Sequence, residues 1–517
     1  MKPLRGLPWA WPALAGAAQA ASIAMPGSGQ AHGWLQVLSL ALLAAGLVRA
    51  AQAEGAWRTT VWRAACLGGL FATAWLGGSF WWLYVSMHEV GGMPAPLAAL
   101  AVLLLALALA LFYAAAAAAW AGLVRPAAWR FQPWACSILF GALWTVAELM
   151  RGQWFTGFPW GAGGYAHVDG VLAVWAPWVG VYGLGAIAAT LAMRLALAGW
   201  RLGALKPLAQ VGLLSWAVQA GSPAFTTSAG TGQVELLQAN ILQSEKFDVR
   251  SGIRDALQWY DERLRASQQA LVVAPETAIP LLPRHLPEGY WAGLQQHFAQ
   301  PGRPLALVGV PLGSLAEGYA NSVVALGLQG QANYRYDKQH LVPFGEFIPP
   351  GFVWFVRQMQ IPLGDFSRGR LDQPSIAWQG QRLSPNICYE DLFGEELAAR
   401  FKDGVQAPTA LVNVSNIAWF GNTLAVDQHL NISRMRAMEL GRPMLRATNT
   451  GATAIIDHTG RVTQQLPRFT RGTLVGTYEG RTGLTPYARW AAAWGLWPLW
   501  LLCGLVLALT AWRRRAR

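Results

Sequence analysis

One cysteine stands among acids in the stretch PNICYEDLFGEE, residues 385–396. The chain has four cysteines, and Cys66, Cys136 and Cys503 fall in or beside long apolar runs, so Cys388 is the only thiol of the polar part. A lone thiol is either a small buried apolar residue or a nucleophile. A nucleophile needs a base for its proton and a donor for the oxyanion it creates.

Three strand-like runs supply candidates. ALVVAPETAIP (270–280) breaks at Pro275 and leaves Glu276 where a strand opens into a loop. NYRYDKQHLVPFGEF (333–347) alternates, then turns, and carries Lys338 and Glu346. LSPNICYED (383–391) leads from a strand towards a helix, with Cys388 at the turn. Helix N-terminal amides at that turn favour a thiolate or an oxyanion. Singly, each is bland: a Glu after a strand is usually a solvated cap, and a Lys a surface charge. Together with one thiol they point to covalent catalysis. His429, in a helical stretch, and His458, in a hairpin turn, fit ordinary solvated roles. No CxxC, HExxH or Walker pattern occurs, so neither a metal nor a cofactor is expected.

These runs must be held by a scaffold, and composition shows where it lies. Of 517 residues, 54% are hydrophobic and 13% charged, against roughly 25% charged in soluble domains. Residues 1–222 are almost free of Asp, Glu and Lys, residues 223–488 have a soluble composition, and residues 489–517 are apolar and end in RRRAR. About 20 apolar residues cross a bilayer as helix. Seven such runs precede the soluble part, near 9–26, 34–52, 60–86, 95–123, 132–150, 171–195 and 206–221, and an eighth lies near 490–512. A rival reading makes AQA at 18–20 the cleavage site of a leader. Lys and Arg concentrate at Lys2, Arg5, Arg49, Arg58, Arg63, Arg125, Arg130, Arg194, Arg201, Lys206 and the C-terminal arginines. That alternation puts both termini in the cytoplasm and the soluble domain on the outer face. Trp490, Trp494, Trp497 and Trp500 read as an interfacial belt. The net charge of +13 is topological, and no nucleic-acid signature accompanies it.

The order Glu276, Lys338, Cys388 resembles the nitrilase (carbon–nitrogen hydrolase) superfamily. APETAIP, YDKQHLVPFGEFIP, ICYED, NVSNIAWFG, RMRAMELGRPMLRATNTGATAIID and, in the apolar half, AELMRGQWFTGFPWGAGGY further resemble the apolipoprotein N-acyltransferase family. The resemblance covers nearly the whole chain. It implies Glu276 as general base, Lys338 as oxyanion lysine, Cys388 as nucleophile, Glu346 as a second acid, and Tyr389 (through its backbone N–H) and Glu390 as supporting residues. It implies an α-β-β-α sandwich beside a bundle of about eight transmembrane helices. The donor would be a phospholipid and the acceptor the α-amine of a diacylglyceryl-cysteine apolipoprotein, in a bacterial inner membrane with the catalytic domain in the periplasm. A monomer without cofactor is expected. Ile417 and Phe247 stand where the family often has Asp and Trp. Residues 349–366 are expected to form a membrane-dipping lid, with Phe352, Trp354, Phe355, Phe247 and Trp419 lining the lipid path. A membrane-tethered amidase for a small amide, and a transporter or receptor with a degenerate outer domain, are the rival readings.

Overall fold

The computed structural model describes residues 10–515, apart from 54, 125–131, 200–202, 204, 247, 249–250, 329–333, 350 and 352–365. It separates into two compact units. One comprises Met1–Trp81, Ala95–Pro223 and Leu496–Arg517; the other comprises Trp82–Pro94 and Ala224–Gly495.

The first unit is helical. Its helices are α1 (Ala10–Ile23), α2 (Gly33–Gln52), α3 (Trp57–Phe80), α4 (Ala95–Leu123), α5 (Pro133–Gln153), α6 (Ala176–Ala198), α7 (Leu205–Gly221) and α8 (Trp497–Arg515). Each falls in one of the eight apolar runs. Four stretches are long and apolar enough to cross a membrane, and two bent helix pairs would bring the number to six. α1 and α7, with 14 and 17 described residues, fall short of that length. Two charged groups inside the bundle are tied down by hydrogen bonds, as burial favours. Arg151 donates to the Tyr113 hydroxyl at 2.9 Å and to the carbonyls of Phe158 and Trp160 at 2.5 and 2.7 Å. Glu148 accepts the Gly163 N–H at 3.0 Å. Glu148 and Arg151, which as acid and base three residues apart read as a structural ion pair at a helix end, thus pin the irregular chain after α5.

Two stretches read from the sequence as membrane span belong to the second unit. α3 stops at Phe80, not at residue 86, because Trp82 finds partners elsewhere: its indole donates to Gln428 at 3.0 Å and its ring lies 4.3 Å from Phe420. The helix Pro486–Trp494 likewise packs on the second unit through Tyr487, Ala488 and Ala491, so Trp490 and Trp494 precede α8.

The second unit is the expected four-layer sandwich. With β6 (Ile376–Trp378), β10 (Ala454–Ile456), β11 (Val462–Gln465) and β12 (Gly472–Gly483) at or near the edges and the strands given next between them, one sheet runs β12-β1-β2-β3-β4-β5 and the other β11-β10-β9-β8-β7-β6. The strands that position the site are β1 (Thr226–Gln238), β2 (Leu271–Val273), β3 (Leu305–Ser314), β4 (Gly318–Leu326), β5 (Arg335–Asp337), β7 (Gln381–Ile387), β8 (Ala410–Ser415) and β9 (Met444–Thr448). β1, β2 and β3 are parallel, as are β7, β8 and β9. Period-two alternation explains the layers. Leu271 and Val273 face the other sheet, in a core shared with Leu383, Val412 and Leu445. Val272 and Ala274 face the outer helices, packing with Trp259, Leu264 and Phe298. The Gly- and Ser-rich stretch 221–233 reads as a linker, but most of it is strand. Thr226–Gln238 pairs antiparallel with β12 (Gly472–Gly483), and an irregularity between Ser228 and Thr231 absorbs the glycine.

Gly309 in β3 lets the loop after β2 lie flat on the sheet. A Cβ there would stand 2.2 Å from the Pro275 carbonyl oxygen and 2.8 Å from the Glu276 Cα. Gly309→Ala is expected to cost about 1–3 kcal/mol, the usual cost of overpacking. The measurement is a lower thermal unfolding midpoint of the detergent-solubilised chain.

Candidate active site

Glu276, Lys338 and Cys388 all follow strand ends: β2, β5 and β7. A sheet end leaves backbone free to turn and side chains free to converge. Glu276 (7% exposed), Lys338 (1%) and Glu346 (7%) form a buried cluster. The Lys338 ammonium is 3.1 Å from Glu276 Oε1 and 2.9 Å from Glu346 Oε1. Asn321, on β4, closes the ring: its Nδ2 donates to the same two oxygens at 2.7 and 2.9 Å. The outer carboxylate oxygens take backbone donors, Asn416 N–H on Glu276 at 2.8 Å and Val342 N–H on Glu346 at 2.9 Å. Thus two carboxylates share one ammonium and one amide, and Lys338 is held from both sides.

Cys388 opens a tight turn, Cys388–Leu392, rather than the N-terminus of a long helix. It is half-buried at the rim of the inter-sheet core and takes a φ of 51°, a costly value for a residue with a Cβ. Hydrogen bonds hold the turn there. The Cys388 carbonyl accepts from Asn413 Nδ2 and from His429 Nε2, both at 3.3 Å. His429 also bonds Asp391 at 2.8 Å, and its Nδ1 faces the Arg446 guanidinium at 2.8 Å. Arg446 can only donate, so the proton of the imidazole sits on Nε2. Burial, then Arg446, keep this histidine below its ordinary pKa and neutral. His429 is therefore no solvated helix residue but part of the floor beneath the thiol. His458 lies in the turn Asp457–Gly460, as expected.

Glu390 is buried, and the nearby Arg400 guanidinium opposes the rise that burial gives its pKa. Its carboxylate accepts from the Ile387 N–H at 2.6 Å, the Tyr336 hydroxyl at 2.8 Å and the Gln339 N–H at 2.7 Å. It so bolts the segment carrying Lys338 to the turn carrying Cys388. The Tyr389 ring is buried between His340 and Phe393, which anchors its backbone in the same turn. Ile417 is fully buried, and Trp419 is half-buried in the turn Ile417–Phe420 that follows Asn416. An apolar side chain suits a position shielded from water. Phe247, Phe352, Trp354 and Phe355 lie outside the described residues, and with them most of the expected lid.

Burial and neighbouring charges act in opposite directions on the three groups. Burial opposes ionisation of Glu276, but Lys338 and then Lys246 hold its pKa below the ordinary carboxylate value. Burial also opposes the Lys338 ammonium, yet Glu276 and Glu346 keep its proton on well above the usual lysine range. Burial, and next the Glu276 carboxylate, push the Cys388 thiol up to about 12, against the pull of Lys338. The amides of this turn favour a thiolate or an oxyanion, whereas burial and then the neighbouring Glu276 carboxylate favour the protonated thiol. Asn321, Asn416 and Lys246 were missed. A polar Asn inside the apolar strand YANSVVAL was a visible signal, whereas nothing local marked Lys246.

A buried Glu–Lys–Cys cluster at the strand ends of an α-β-β-α sandwich defines the carbon–nitrogen hydrolase class, and the carbon-nitrogen hydrolase family model matches residues 233–487. The model of the apolipoprotein N-acyltransferase N-terminal domain matches residues 15–194. An apolipoprotein N-acyltransferase of Verminephrobacter eiseniae is 54% identical over 512 residues, covering 95% of this chain and 93% of that protein. One of Ralstonia nicotianae is 48% identical over 486 residues, covering 94% and 90%. A carbon-nitrogen hydrolase structure from Helicobacter pylori G27 aligns at 16% identity with a TM-score of 0.35, covering 48% of this chain and 89% of that one. The chain belongs to the apolipoprotein N-acyltransferase family.

In the substrate-free protein, alkylation of Cys388 by iodoacetamide should rise about tenfold per pH unit from pH 7 to 10, following the thiolate fraction. Peptide mass spectrometry reads it. Glu276→Gln removes the charge that raises the thiol pKa, so this variant should be alkylated faster than wild type at pH 8. A plateau near pH 7 would show a thiolate already formed.

Proposed function

We propose that this chain, an acyltransferase by family, moves a fatty acyl group from a membrane phospholipid through a Cys388 thioester to the α-amine of a diacylglyceryl-cysteine lipoprotein. As the Cys388 sulfur attacks the ester carbonyl, its proton passes to the Glu276 carboxylate. The oxyanion is met by the Lys338 ammonium and the Tyr389 backbone N–H. One such donor is worth about 3–4 kcal/mol. Collapse breaks the ester C–O bond, and the lysophospholipid leaves with the proton from Glu276. The amine then attacks the thioester and gives a proton to Glu276. The C–S bond breaks, the sulfur takes that proton back, and an amide is released. Two half-reactions on one nucleophile predict ping-pong kinetics.

The observation that carries this reading is the ring of Glu276, Lys338, Glu346 and Asn321 beside the Cys388 turn. It comes within a chain aligned over nearly its full length with acyltransferases. A tethered amidase is not favoured, since it would need neither the N-terminal membrane domain nor its matching family model. Several apolar helices make the chain a membrane protein. We place the second unit in the periplasm of a bacterial inner membrane, with both termini in the cytoplasm and the chain a monomer. The Lys and Arg distribution supports this topology. So does the inclusion of 82–94, the connection between α3 and α4, in the catalytic unit.

The test is intact mass spectrometry of the full-length protein after exposure to phosphatidylethanolamine. Wild type is expected to gain one fatty-acyl group on Cys388 and to lose it to a diacylglyceryl peptide with a free N-terminus, not to the N-acetylated peptide. Cys388→Ala should gain none. Acylation that survives in Cys388→Ala would overturn the assignment.

A further inference from the structure

A second lysine lies against the site. Lys246, in the loop between β1 and the helix Gly252–Ala266, is 3% exposed. Its Nζ donates to the Glu276 carbonyl at 3.2 Å and to the Thr277 hydroxyl at 2.5 Å. Thr277 has a φ of 47°, a conformation β-branched residues rarely adopt and one that must be held by its surroundings. Beneath the same turn lies Gly309, with no side chain to support it.

We propose that Lys246 is a positioning residue for acyl transfer: its ammonium clamps the strained Glu276–Thr277 turn and so fixes the carboxylate that takes the Cys388 proton. This rests on the acyl-transfer reading above. Lys246 differs in kind from Lys338. Lys338 is bonded directly to two carboxylates, whereas the bonds of Lys246 go to neutral oxygens. The clamp thus leaves both oxygens of the Glu276 carboxylate free of Lys246, while the nearby positive charge still favours its ionised form. The two lysines together balance Glu276 and Glu346, so the buried cluster carries no net charge. A buried ammonium without a bonded carboxylate holds its proton less firmly: burial lowers Lys246 to about 8, opposed by Glu276 and Cys388. The charged and titratable groups facing it are Glu276, on the turn after β2, and Cys388, on the turn after β7. Above pH 8 the neutral amine should grip the turn less well.

The experiment measures the first-order rate of Cys388 acylation by phosphatidylethanolamine in mixed micelles, without acceptor, from pH 5.5 to 10. In wild type the rate should fall as pH rises through about 8. Lys246→Arg keeps the charge and should lose that alkaline fall. Lys246→Met should acylate roughly a hundredfold more slowly at pH 7, as for a small misplacement of a reacting group. Its acid limb should also move to higher pH, because Glu276 has lost a cation. A Met variant with the wild-type rate and profile would overturn the proposal, as would an Arg variant that keeps the fall near pH 8. If the Met variant does not fold, the Arg profile decides alone. A wild type that gains no acyl group refutes the acyl-transfer reading itself, which separates the two failures.

Discussion

A buried ammonium shared by two carboxylates organises the site. A lone charge in a protein interior costs several kcal/mol, so Lys338 is tolerable only with partners. Those partners come from separate segments: Glu276 from the turn after β2, Glu346 from the loop after β5, Asn321 from β4. The pairing therefore ties together three pieces of chain that meet only in the folded domain. In the proposed mechanism it also fixes the ammonium in advance for the oxyanion, with no reorganisation at the moment of reaction.

The thiol is positioned by a second network of opposite character. Asn413, His429, Asp391 and Arg446 hold the carbonyl side of Cys388, and Glu390 holds the turn to the lysine segment. Neither network bonds the sulfur to a base. The resting thiol is pushed up to about 12, and this has a use. A protonated thiol is inert towards stray electrophiles and oxidants, which suits the oxidising compartment proposed for the domain.

Much of the site was legible because Glu276, Lys338 and Cys388 each follow a strand-like run, with Glu346 in the turn beyond the lysine, and strand ends are where such groups gather. Glu276, Lys338, Glu346 and Cys388 could be named from local pattern. Asn321 left only the signal of a polar residue in an apolar strand, and Asn416, Lys246 and the role of His429 left none, since their partners are brought to them by the fold from other segments of the chain. The strands followed the apolar alternation, but Thr226–Gln233 looked like linker because pairing with β12, not its own Gly, Ser and Thr, makes it strand. Apolarity likewise misplaced 82–86 and Trp490. Hydropathy cannot distinguish a side chain facing lipid from one, such as Trp82, buried against Gln428 and Phe420.

The pairing of Lys338 from both sides is tested most directly at Glu346, which touches the ammonium but not the thiol turn. Glu346→Gln keeps the shape and an acceptor oxygen while removing the charge. Single-turnover acylation of Cys388, measured against phospholipid concentration, should show a maximal rate about a hundredfold lower with the half-saturating lipid concentration unchanged. An unchanged maximal rate would mean that Lys338 is held by Glu276 alone, and the shared ammonium would not be the constraint on which the site depends.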